Sequence, residues 1–242
     1  MKNAFPITRY SLLARLKSPG AGTPAVALDA LLAAYWRPVH TYLRVKWRVS
    51  TEDAQDLTQA FFDPPALQRL LERYESNRGK FRTYLRTCLD GFLSNQRKAA
   101  SRQKRGGQAS ILSMESDGAG SALEQPTPGD PSDLEEYFHR EWVRNLFGLA
   151  VDAFRAEASA SGKAIQFSLF ERYDLERDGG KEELSYQALA QEFGISTTQV
   201  TNFLAFARRE FRRIVLEKLA ELCATDEEFR DEARQILGVR EP

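Results

Sequence analysis

Cations are the chemistry this sequence offers. Residues 78–105 read RGKFRTYLRTCLDGFLSNQRKAASRQKR and carry nine basic side chains (Arg78, Lys80, Arg82, Arg86, Arg97, Lys98, Arg102, Lys104 and Arg105) against a single acid, Asp90. Guanidinium and ammonium groups interleaved with the hydroxyls of Thr83, Thr87 and Ser94 suit phosphate oxygens, and with aromatic neighbours they suit bases. A solvated charged face is the plain alternative. Covalent chemistry is not on offer: there is no P-loop, no glycine-rich nucleotide fingerprint and no nucleophile elbow. His40 and His139 stand alone, without metal-ligand spacing. No catalytic residue, metal site or cofactor is expected, so the chain reads as a binding protein and not an enzyme.

The cationic stretch needs a scaffold. Phe81, Tyr84, Leu85, Cys88, Leu89, Phe92 and Leu93 recur at helical spacing, which predicts a helix with one buried stripe and leaves Arg82, Arg86, Asp90 and Arg97 on its polar face. Upstream, Thr8 can cap a short helix over about residues 9–17. A second helix covers 24–36, and Pro38 breaks or kinks the chain before a third, VHTYLRVKW. Ser50 and Thr51, followed by Glu52 and Asp53, start the helix EDAQDLTQAFF, with Ala54, Leu57 and Phe61 on one face. Asp63-Pro64 stops it and starts the next, which runs to Tyr74.

Residues 106–132 are rich in Gly, Ser and Pro and read as a flexible linker. Beyond it, 134–160 and 164–175 read as helices, and ATDEEFRDEARQILG as a last short one, capped by Thr225 or Asp226 and closed by Gly238. Nothing alternates convincingly like a strand. The expected class is all-α: two helical domains, 1–105 and 133–242, joined by the flexible linker 106–132, the C-terminal one containing a helix-turn-helix.

Net charge is zero only as a sum of opposites. Residues 1–105 hold 19 Lys and Arg against 8 Asp and Glu, a net +11, and residues 106–242 hold 15 against 26, a net −11. Such asymmetry points to a polyanion-binding surface in the first half. The acidic half could mask nucleic acid, or simply be soluble. Cys88 and Cys223 lie at apolar helical positions and read as buried thiols. No apolar run approaches the roughly 20 residues that span a bilayer, and the first residues lack a signal core. A reducing cytoplasm and no membrane partner are expected.

The second informative stretch is LSYQALAQEFGISTTQVTNFLAFARREFRRIV. It predicts a short helix from Tyr186 to Phe193, a turn at Gly194, and a long helix from Thr197. Ser196 and Gln199 form a capping box. Gly194 supplies the left-handed turn, Ala190 is small where the helices approach, and Leu189, Phe193, Ile195, Val200 and Phe203 pack the pair. This spacing predicts a DNA-binding helix-turn-helix, with a generic helical hairpin as the plain alternative. Its groove-facing residues would be Thr197, Thr198, Gln199, Thr201 and Asn202, with Arg208, Arg209, Arg212 and Arg213 further along for phosphates.

These pieces, in this order, resemble an RNA polymerase sigma factor of the two-domain extracytoplasmic-function (ECF) type, over about 25–105 and 134–222. The stretch DAQDLTQAFF, residues 53–62, is similar to the D-x-x-Q-x-x-F polymerase-binding helix of that family. The resemblance implies that the chain binds core RNA polymerase through Asp53, Asp56, Leu57, Gln59 and Phe62. It implies capture of the unpaired −10 strand by the turn 75–80 and the basic helix, through Asn77, Arg78, Lys80, Arg82, Tyr84, Arg86, Asp90, Arg97, Lys98 and Arg102. It assigns −35 duplex contacts to Thr197, Thr198, Gln199, Thr201, Asn202, Arg208 and Arg209. Core polymerase and promoter DNA would be the partners, with an anti-sigma factor left open.

Three departures stand out. Asp90 occupies a position where many relatives carry Asn, so it either accepts a hydrogen bond from a base or pairs with Arg86 or Arg97. Pro64-Pro65 interrupts a helix that usually continues, and a segment over 156–183 replaces a short connection. The rival readings are a helix-turn-helix regulator, or a sigma-like interaction module, acting without core polymerase.

Overall fold

The structure, a computed structural model, describes residues 24–105, 131–176 and 184–238, together with Leu13 and Leu16, both helical. The rest of the first expected helix, most of the linker and residues 177–183 lie outside the described residues. Those described are helical, with no strand among them, so the all-α class holds. The helices are α1 (Pro24–Trp47), α2 (Thr51–Phe61), α3 (Pro64–Arg73), a 3-10 turn (Ser76–Arg78), α4 (Phe81–Arg105), α5 (Pro131–Ala160), α6 (Ala164–Phe170) with a π-helical extension (Glu171–Leu175), α7 (Tyr186–Phe193), α8 (Thr197–Leu222) and α9 (Asp226–Leu237).

The chain falls into two compact units, Met1–Asn145 with Ala220–Pro242, and Leu146–Leu219. This partition differs from the expected domains 1–105 and 133–242. The packing supplies the reason. Trp142 of α5 stacks on Tyr35 of α1 at 6.3 Å between ring centroids, and Phe138 meets Tyr42 edge-on at 5.4 Å. Helix α9 bonds to the start of α4. Residues 131–145 and 220–238 therefore belong with the first helices.

Helix α1 runs continuously through Pro38, so the proline does not break it into two helices, 24–36 and a third, as one of the two expected outcomes had it. A proline inside a helix leaves the carbonyl four residues back without its donor. Here that carbonyl is Ala34 O, and the Asn145 side-chain amide donates to it at 2.9 Å and to Ala33 O at 2.8 Å. A partner distant in sequence replaces the missing N–H. Elsewhere the local signals act as read. Ser50 caps α2, accepting from Asp53 N–H. Thr225 caps α9, and Gly238 ends it at φ +63°.

The first unit's core joins Leu31, Tyr35, Tyr42, Leu43, Phe81, Leu85, Leu89, Phe138 and Trp142, all nearly fully buried. The second unit's core contains Leu169, Leu189, Val200 and Leu204, with Tyr173, Tyr186, Phe193, Ile195 and Phe203 packed around them.

Candidate nucleic-acid interface

Helix α4 buries the expected stripe: Phe81, Leu85, Leu89 and Leu93 are inside, with Tyr84, Cys88 and Phe92 half-buried. Its basic face is less open than its sequence suggests. Arg82 is buried, and its Nε donates to Glu232 at 2.7 Å. Lys80 Nζ lies 3.1 Å from the same carboxylate. Arg86 is half-buried between Asp90 at 3.4 Å and Glu135 at 3.6 Å. Tyr84 donates its hydroxyl to Leu70 O at 2.9 Å, and burial pushes its pKa up to about 12. Arg97 donates to Trp47 O at 3.2 Å and sits 4.2 Å over the Trp47 ring, so it caps the C-terminal end of α1 and makes a cation–π contact.

The exposed members of the expected −10 set are Asn77, Arg78, Arg97 and Lys98, and Arg78 pairs with Glu75 at 2.8 Å. Nothing is described of the Arg102 side chain. Lys80, Arg82, Tyr84 and Arg86 are thus engaged within the chain instead of standing open to a strand, whereas Arg97 stays exposed beside the Trp47 ring.

Asp90 resolves into a pairing residue. Its nearest partner is one the sequence did not suggest, Lys46 of α1 at 2.7 Å. Tyr42 hydroxyl lies 3.2 Å from Asp90 Oδ1 and accepts from Lys46 Nζ at 3.0 Å. Burial would lower the Lys46 pKa, but the Asp90 carboxylate and Tyr42 hydroxyl outweigh it, and the net shift is upward. Burial also raises Tyr42.

Helix α2 presents Asp56 and Gln59 to solvent, with Asp53 and Leu57 half-buried. Phe62 is buried, stacked with Trp36 at 6.1 Å and edge-on to Phe61 at 5.2 Å. It serves the core and is withdrawn from the expected polymerase-facing set. Thr58 takes a buried position instead, returning its hydroxyl to Ala54 O at 2.6 Å.

In the second unit, α7 ends at Gly194 with φ +64°, and α8 begins three residues later. The capping box closes both ways: Ser196 Oγ accepts from Gln199 N–H at 3.2 Å, and Gln199 Oε1 accepts from Ser196 N–H at 2.9 Å. The Gln199 carbonyl is therefore occupied. Thr197, Thr198, Thr201 and Asn202 are exposed, and Thr201 returns its hydroxyl to Thr197 O. Arg208 is held bidentately by Asp174, at 3.0 and 2.9 Å, so the 156–183 segment takes up a cation expected on phosphate. Arg209 is exposed, whereas Arg213 is ringed by Glu157, Glu210 and Glu217.

Burial raises the thiol pKa of both Cys88 and Cys223, which keeps them protonated and unreactive. Among the described residues, no cluster of His, Cys, Asp or Glu could hold a metal, and no helix is long and apolar enough to cross a membrane. Set against protein-family models, curated proteins and solved structures, the chain matches none.

Proposed function

We propose that the chain is a sigma factor of the extracytoplasmic-function type, which binds core RNA polymerase in the cytoplasm and directs promoter-specific initiation. The observation that carries this reading is the α7–α8 pair. Its inner side is a sealed apolar cluster around Leu189, Val200 and Leu204, and the first turns of α8 expose Thr197, Thr198, Thr201 and Asn202. Short donors and acceptors at the start of a helix beside a tight turn suit base edges in a major groove. The exposed carboxylate of Asp56 and amide of Gln59 on α2 suit a basic protein partner better than DNA. The polymerase would perform the chemistry, and this chain would supply recognition.

One observation favours a second reading, a duplex-DNA regulator acting without polymerase. Lys80, and Arg82 and Arg86 of α4, are engaged with the chain's own acids, which leaves the α7–α8 pair as the more open candidate for DNA.

Reconstitution with core polymerase on promoter libraries separates the two. Run-off transcripts that depend on this chain support the sigma reading, and duplex binding without transcripts supports the regulator. Asp56→Arg reverses the charge of an exposed residue, so it should abolish polymerase binding while leaving the helical circular dichroism intact. Retained binding would remove α2 from the docking surface.

A further inference from the structure

Helix α9 places two carboxylates where a phosphate-binding surface would have to be open. Glu232, 1% exposed, faces Arg82 Nε at 2.7 Å and Lys80 Nζ at 3.1 Å. Glu228 Oε1 accepts from the backbone N–H of Phe81, the first residue of α4, at 2.9 Å, and its Oε2 accepts from Ala224 N–H at 2.7 Å. A helix-start amide, an ammonium and a guanidinium thus converge on the acids of one neighbouring helix. That is the donor set of a phosphate site, filled by the chain itself.

An ordinary structural ion pair would account for one such contact. Two features argue for a replaceable occupant. The fit is incomplete: Glu232 Oε2 and the facing His139 Nε2, 3.8 Å away, are both buried without a hydrogen-bond partner. A buried acid that leaves an oxygen unsatisfied forfeits part of what its pairing returns. The hold of α9 on the start of α4 is also polar, through Glu228 on the Phe81 N–H and Glu232 on Lys80 and Arg82. Helix α9 carries Asp226, Glu227, Glu228, Asp231 and Glu232 against Arg230 and Arg234, and of its apolar residues only Ala233 is buried, with Phe229, Ile236 and Leu237 half-buried. Carboxylates that hold cations and an amide in this way can be exchanged for the phosphates of another polyanion.

We propose that α9 is a cis-acting cover over a phosphodiester-binding face, displaced when a single nucleic-acid strand takes Lys80, Arg82 and the first amide of α4 from Glu228 and Glu232. The inference deepens the assignment of α4 to the unpaired promoter strand, and rests on it. Away from polymerase, α9 keeps the strand site closed, so the chain avoids binding nucleic acid indiscriminately.

The test uses the full chain and a fluorescein-labelled, mixed-sequence single-stranded DNA, read by anisotropy across a salt series. Glu228→Gln with Glu232→Gln keeps the side-chain shapes and removes both negative charges. Affinity should rise on the order of tenfold to a hundredfold at about 0.1 M salt, and the log–log salt slope should steepen by about 1.4, from roughly 0.7 for each of two phosphate contacts regained. Adding Lys80→Gln and Arg82→Gln should cancel the gain. Unchanged affinity and slope in the double variant, or a gain that survives loss of the two cations, overturns the proposal.

Hydrogen exchange on the wild-type chain does not depend on the variants folding. The α9 amides should lose protection at saturating strand and keep it with an uncharged methylphosphonate strand. Absence of binding, or unchanged protection at α9, overturns the proposal. Parallel transcription assays keep the two readings apart. Transcripts with no displacement of α9 sink the cover and leave the sigma assignment. Displacement with no transcripts sinks the sigma assignment and leaves the cover.

Discussion

Replacing Arg82 with Met and Glu232 with Leu, singly and together, measures how far the buried pair specifies the first unit. Arg82 is 8% exposed and Glu232 1%, so neither charge has bulk water to fall back on. Arg82→Met leaves Glu232 with Lys80 and the more distant His139, although the methionine can keep the contact with the Trp142 ring, 5.9 Å from the guanidinium. Glu232→Leu is the harsher change. It leaves two cations together at the start of α4, where the helix dipole is already positive. Breaking a buried pair one-sidedly costs about 3–5 kcal/mol, whereas removing both charges is often close to neutral. Each single variant should therefore melt about 10 °C lower, and the double variant should recover most of the loss. Trp36, Trp47 and Trp142 are the chain's three tryptophans and all lie in the first unit, so their fluorescence reports its unfolding without interference from the second. Single losses under about 1 kcal/mol would put the pair with exposed ion pairs. Losses that simply add in the double variant would show no coupling across 2.7 Å and refute the argument.

Three other perturbations follow from contacts already described. Asn145→Ala should cost about 1 kcal/mol by stranding Ala34 O; in a Pro38→Ala background the cost should shrink, because the new N–H reaches that carbonyl, and an equal cost in both backgrounds would refute the link. His139 titrates below its usual 6.5, first through burial and then through Arg82 beside it. The unfolded chain therefore takes up the proton first, and stability is lost as pH falls from 6.5 towards the folded pKa. His139→Phe should flatten the fall of the tryptophan-detected melting point below that pH, and an unchanged profile would show that His139 does not set it. Gly194→Val forces a β-branched residue to φ +64° and should cost about 1–2 kcal/mol in the second unit, read by helical circular dichroism; a neutral result would mean the turn relaxes away from the left-handed region.

Local signals in the sequence translated directly into local structure. The stripe of Phe81, Leu85, Leu89 and Leu93, the Ser50 and Thr225 caps, the reciprocal Ser196–Gln199 box and the Gly194 turn each depend on residues a few positions apart, and each is where its spacing put it. Pro38 does not end the helix, for the opposite reason. Its rule is local, but the remedy, Asn145, arrives from 111 residues away and leaves no mark on the periodicity of either helix. The same distance hid the fate of the cations. Arg82 meets an acid 150 positions later, and Asp90 a lysine on α1, so the sequence could count the charges of α4 without saying which were already spent.

One global signal did anticipate this arrangement. A first half at +11 facing a second at −11 has more to gain from pairing across the halves than from leaving both surfaces bare. Glu135, Glu228 and Glu232 come from the acidic half: Glu135 lands on Arg86, Glu232 on Lys80 and Arg82, and Glu228 on the N–H of Phe81. The asymmetry suggests a polyanion as partner for the basic half, and helix α9 supplies carboxylates to part of that surface from within the chain. Any nucleic acid that uses α4 must then bind by the margin with which its phosphates exceed these carboxylates, and that margin narrows as salt rises.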